Sequence, residues 1–234
     1  MQPAKPDSFL SSMIIMGLLY FVMGFFTWIN GPLITFVGLA FELDEVNAFL
    51  VLMVFYLSYF FLALPASWLL QRTGMKRGIS IAILVLSAGA FCFGEFATAR
   101  SYPGALLGLF VIGGGLSMLQ TAVNPYVSIL GPIESAARRI AMMGICNKFA
   151  GMVAPLLLGA FVLKGLGDLD AAVKLASPAE KEALLGAFAS QIRGPYLAMA
   201  AVLAVVSFAI FRSSLPDVGG RRSGAAGGER HGSI

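Results

Sequence analysis

Gln120, Asn124, Asn147 and Lys148 each interrupt a long run of aliphatic and aromatic residues that has no need of them. A carboxamide both donates and accepts hydrogen bonds, and an ammonium donates three. Hydrocarbon offers such groups no partner, so they must turn toward protein or a water-filled cavity. The chemistry available to them is recognition of a polar solute along a pathway. Bond-making is not expected: no nucleophile–base pair, metal-ligand cluster or phosphate loop accompanies them, and the single histidine, His231, lies in the polar tail. Neither an enzyme nor a bound metal or cofactor is expected.

Helical spacing gathers these residues into stripes. Gly113, Ser117, Gln120 and Asn124 share one face, as do Gly144, Asn147, Lys148, Gly151 and Pro155. A third stripe runs through Gly24, Thr27, Trp28, Gly31, Thr35 and Gly38, and Gly31-Pro32 interrupts it because proline removes a helical hydrogen bond. Small residues by themselves would serve close helix packing. The amides and the lysine go beyond what packing requires. An ammonium at mid-membrane costs at least about 2.5–3.5 kcal/mol, so Lys148 should have a partner or a wet cavity, or else stay neutral or snorkel. Glu95 is the nearest candidate acid, near the outer end of its span. Asn30 lies off its stripe, where it could hydrogen-bond a neighbouring helix.

The elements that must carry these stripes are membrane helices. With 58% hydrophobic and 12% charged residues, the chain has about half the charge of a soluble domain. Six stretches are long and apolar enough to cross a bilayer: 12–41, 48–70, 78–98, 103–130, 140–163 and 195–211. The expected organisation is a cytoplasmic N-terminus (1–11), a six-helix transmembrane domain (12–213) with an external loop (165–193), and a disordered, glycine- and arginine-rich cytoplasmic tail (214–234). Ser177-Pro-Ala-Glu180 in the loop has the spacing of a capping box and predicts an amphipathic helix. Arg72, Lys76, Arg77, Arg138, Arg139 and Arg212 flank spans on one side, while Glu42, Asp44, Glu45, Glu95, Glu180 and Glu182 fall on the other. By the positive-inside rule both termini are cytoplasmic. The first apolar run is too long for a signal-peptide core and should stay in the protein. Cys92 and Cys146 read as buried free thiols. The basic residues flank spans instead of forming a patch, so nucleic acid is not an expected partner.

Arg72-x-Gly74-x-Lys76-x-Gly78 resembles a degenerate form of the loop signature of the major facilitator superfamily. The stretch from Gln120 to Ser135, QTAVNPYVSILGPIES, is similar to the fucose permease and glucose/galactose transporter group within it. The resemblance runs from about residue 16 to 216 and covers the N-terminal six-helix half of a twelve-helix fold, with residues 215–217 resembling the start of the central linker. It implies an all-α integral membrane protein of the cell inner membrane that binds sugar between two halves. In fucose permease an aspartate in span one and a glutamate in span four are implicated in proton coupling and sugar binding. Those positions fall on Gly31 and Gln120, and the family's span-five asparagine matches Asn147. Both titratable groups are thus replaced, while neutral hydrogen-bonding groups remain.

The function this implies is transport of a hexose or deoxyhexose by alternating access. Gln120, Asn124, Asn147, Lys148, Trp28, Gly31 and Asn30 are the candidate sugar-binding residues. Sugar, the lipid bilayer and a C-terminal six-helix half are the expected partners. The alternative is a truncated half-transporter without independent transport, acting as a membrane scaffold or completed by another chain.

Overall fold

Long apolar runs with few charges fold here into helix throughout. Over residues 6–162 and 166–213, which the computed structural model describes, there are ten α-helices and one 3-10 turn. The expectations for the tail at 214–234, including His231 and the linker-like 215–217, lie outside the described residues, as do those for residues 1–5. Five helical stretches are long and apolar enough to cross a membrane, and a sixth span is formed by a bent pair. These six correspond to the six apolar stretches of the sequence.

Span one comprises α1 (Pro6–Trp28) and α2 (Asn30–Ala40). Its interruption falls at Ile29, just ahead of the Gly31-Pro32 step, because Pro32 has no N–H to donate one turn back. Asn30 does not bond a neighbouring helix: its Nδ2 donates to the Phe26 and Thr27 carbonyls at 3.2 and 3.3 Å, within its own span. Span two is the bent pair, α3 (Glu45–Phe61) and α4 (Ala63–Thr73), which meet at 44°. Pro65 lies in the first turn of α4 and cannot donate to the Phe61 carbonyl, which accounts for the bend. Asp44 caps α3 by accepting from the Asn47 N–H at 3.2 Å.

Gly74 alone joins α4 to α5 (Met75–Thr98), at a φ of 82° that a side chain would strain. Helix α5 packs along α6 (Tyr102–Ile129) with backbones nearly touching. A Cβ added at Gly108 would lie 2.6 Å from the Phe93 nitrogen, and one at Gly89 would lie 2.7 Å from the Ile112 nitrogen. On its other side α5 binds α10 (Arg193–Arg212) through a reciprocal pair, in which Ser80 and Ser207 each donate to the other's carbonyl at 2.8 Å. Tyr196, fully buried, meets the Phe93 ring at 4.6 Å between centroids.

Helix α7 (Ala136–Phe161) packs chiefly on α1, far from it in sequence. Arg139 at its start is not the exposed loop charge that the sequence suggests. It is 4% exposed, and its guanidinium donates to the carbonyls of Val127, Ser128, Gly131 and Pro132 and to the Ser135 hydroxyl. The helix-end carbonyls have no N–H one turn on to pair with where α6 ends, and the planar fork of donors suits them.

Between spans five and six lie α8 (Leu166–Leu175) and α9 (Pro178–Ser190). The capping box expected at Ser177 is present, with the Ser177 N–H donating to the Glu180 carboxylate at 2.9 Å. Buried Leu185, Phe188 and Ala189 seat α9 on the bundle. A lattice of ion pairs surrounds this seat. Arg100 meets Glu182 at 2.6 Å and Glu42 at 3.8 Å, Lys181 also meets Glu42, and Arg193 meets Glu95 at 3.0 Å. Glu95 is therefore paired at the end of α5 and is not a partner for Lys148.

Candidate functional site

Four helices drawn from spans one, two, four and five leave a cleft of about 730 Å³ between them. Helix α1 contributes Tyr20, Met23 and Thr27, and α3 contributes Phe55, Tyr56 and Tyr59. Gln120, Asn124, Pro125 and Ser128 come from α6, and Ile140, Gly144, Asn147 and Lys148 from α7. The four polar residues singled out in the sequence thus line one space, though they come from two helices. Trp28 stands beside that space, half-exposed, with the Lys148 ammonium 4.8 Å from its ring centroid. Gly31 and Asn30 are not part of the cleft wall: Gly31 is exposed with open space around it, and Asn30 is buried in its own span.

Tyr20 ties the wall together. Its hydroxyl donates to Asn124 Oδ1 at 2.7 Å, and its carbonyl accepts from Asn147 Nδ2 at 3.2 Å, joining spans one, four and five. Asn124 Nδ2 and Asn147 Oδ1 are left for other partners. No hydrogen bond engages the Gln120 carboxamide among the described residues, so its full donor and acceptor capacity faces the cleft.

The small residues of the stripes divide into two groups. A Cβ at Gly24 would lie 2.3 Å from the Asn147 carbonyl, and one at Gly113 would lie 2.4 Å from the Phe55 carbonyl, so these glycines let helices close up. Gly151 makes room for Trp28, whose ring a Cβ there would approach to 2.9 Å. Gly144 and Gly31, by contrast, leave open space. Pro125 does not end its helix: α6 continues to Ile129 and stops at the Gly131-Pro132 step.

Three tyrosines went unnoticed in the sequence. Tyr20 lies one turn before Gly24, so extending the first stripe by four residues would have reached it. Tyr56 and Tyr59 sit three apart in an otherwise apolar span, a spacing that also suits ordinary aromatic packing.

The arrangement offers hydroxyls, carboxamides and one ammonium. No Asp, Glu or His lines the cleft, and no group of three or more potential metal ligands occurs among the described residues. Such a wall can bind a polar, hydroxyl-bearing solute, and it contains no proton acceptor of the carboxylate type.

Comparison with known proteins gives a consistent account. The sequence matches the Major Facilitator Superfamily over residues 16–231. It is 35% identical over 204 residues to a glucose/galactose transporter of Brucella abortus, covering 86% of this chain and 45% of that protein. It is 29% identical over 199 residues to the L-fucose-proton symporter of Escherichia coli, covering 82% of this chain and 45% of that one. The crystal structure of the transporter FucP in the outward conformation superposes with a TM-score of 0.76 at 27% identity, over 89% of this chain and 51% of FucP. The chain spans about half the length of the curated relatives it matches.

Proposed function

Because the chain belongs to the Major Facilitator Superfamily, we propose that its cleft is one half of a sugar site. In the complete transporter a hexose or deoxyhexose of the glucose, galactose or fucose type crosses the cell inner membrane by alternating access. The observation that carries this reading is the convergence of Gln120, Asn124 and Asn147 on one cleft walled by four spans. Sugar hydroxyls both donate and accept, and carboxamides match them in both senses. Relatives named for glucose, galactose and fucose transport support the substrate class. A C-terminal six-helix half closes the open side of the cleft, and both termini of this half face the cytoplasm.

Proton coupling through this half has no carboxylate to use. The two acids implicated in fucose permease fall on Gly31 and Gln120, and the cleft's one full charge is the cation of Lys148. Transport is then facilitated diffusion, or it is coupled through the other half. Radiolabelled sugar uptake into cells lacking their own carriers tests both points, comparing this chain alone with the chain joined to a C-terminal half. Uptake that needs both halves is the expected result, and its survival of a protonophore marks facilitated diffusion. Uptake abolished by the protonophore and restored by an imposed pH gradient would overturn the uncoupled reading.

A second reading has its own support in the coverage of about half of each relative. On that reading the chain alone inserts in the membrane and transports nothing. Neither reading expects uptake by the chain alone, so uptake by the chain joined to a C-terminal half decides between the two.

A further inference from the structure

The charge in the cleft has no opposite. Lys148 is the only fully charged residue in its wall, and no ion pair engages it among the described residues. No acid lines the cleft with it, and Glu42 and Glu182 are committed to Arg100 and Glu95 to Arg193. The seat of the ammonium is nonetheless built. Trp28 offers its ring face at 4.8 Å, and Gly151 has no side chain to displace that ring. The indole holds the ammonium from one side by attraction to its π-face, which leaves N–H donors directed away from the ring.

A positive charge on a membrane helix keeps a partner or a watered space. A neutral sugar entering this cleft would expel water from the ammonium and return only hydroxyl contacts. A carboxylate would return an opposite charge and a charge-assisted hydrogen bond, both stronger once water has left. We infer that the sugar this cleft receives is an acid sugar, a hexuronate or a related sugar carboxylate. Its carboxylate accepts from Lys148 Nζ, and its hydroxyls pair with Gln120, Asn124 and Asn147. Trp28 is a positioning residue that fixes where the ammonium sits. The inference rests on the sugar-site reading above and moves its substrate from the neutral hexoses to their acids.

Isothermal titration of the full chain in bilayer nanodiscs, alone and joined to a C-terminal half, provides the test. The probes are D-glucuronate and D-galacturonate, their uncharged methyl esters, and glucose and galactose. Each acid should bind about ten-fold tighter than its own methyl ester, the worth of roughly one charge-assisted hydrogen bond. Rising salt should narrow that gap. Lys148→Met should erase the preference for acid over ester, and Lys148→Arg should keep it. The acid–ester comparison on the unaltered chain does not depend on any variant folding. Neutral sugars binding as tightly as the acids, or a preference that persists in Lys148→Met, would overturn this inference and leave the sugar site standing. Binding of neither class, even with the second half joined, would overturn both.

Discussion

Arg139 and Gln120 are both polar groups in apolar surroundings, and they serve different ends. The Arg139 guanidinium is spent entirely on the frayed end of α6 and the turn that follows. Replacing it with leucine strands carbonyls that water cannot easily reach, at about 1–3 kcal/mol for each one left unpaired. Arg139→Leu should therefore unfold at lower temperature in detergent, and Arg139→Lys should restore little, because one ammonium cannot span the same acceptors. Gln120 is unspent, so its loss should be felt by ligand and not by the fold. Gln120→Ala should weaken sugar binding about ten-fold with thermal stability unchanged. Titration of the chain joined to a C-terminal half measures it, and unchanged affinity would remove Gln120 from the site. Gln120, Asn124, Asn147 and Lys148 were legible in the sequence because amide and ammonium groups contradict an apolar span. Tyr20 was not, since a tyrosine among phenylalanines carries its signal in one oxygen atom. The burial of Arg139 was also hidden, because an arginine beside a span reads as a rim charge whether or not its fork has turned inward.

At the scale of elements, α5 and α6 are held by shape. Gly89, Gly108 and Gly115 bring backbone against backbone, and a Cβ at Gly115 would come 2.8 Å from the Leu86 nitrogen. Backbone cannot yield as a flexible side chain does, so Gly108→Ala should destabilise by about 1–3 kcal/mol. Gly159, with nothing within 4 Å of its would-be Cβ, is the control, and Gly159→Ala should be near neutral. Unfolding of both in mixed micelles compares them, and equal stability would mean the seam relaxes freely. The positions of the spans follow from hydropathy, and the cap at Ser177 follows from its spacing to Glu180. The 44° bend in span two was not foreseen, although Pro65 supplies its cause. The seating of α9 brings together residues such as Arg100 and Glu182, far apart in sequence, which local pattern does not encode.

For the whole molecule, paired acids mark one end of the bundle. Glu42, Glu95 and Glu182 gather with Arg100, Lys181 and Arg193 at the end where α5 finishes and α10 begins. At the other end α5 starts, α10 finishes, and Lys76 donates to the Ser213 carbonyl. With the basic flanks inside, reporter fusions after Arg212 should report cytoplasm, and fusions within α8 should report the opposite side. The same side for both would defeat the six-span topology. Which spans touch was beyond the sequence, because hydropathy counts crossings and says nothing of neighbours. The pairing of α1 with α7 is the instance that matters, since it builds the cleft.

That pairing also sets a schedule for biosynthesis. The bond from Asn147 to the Tyr20 carbonyl joins residues 127 positions apart. At about 5–20 residues per second, the ribosome delivers the second partner roughly 6–25 s after the first. For that interval Tyr20 and Gly24 stand without the helix that later packs on them. The first span's side of the cleft is therefore complete only once the fifth span arrives.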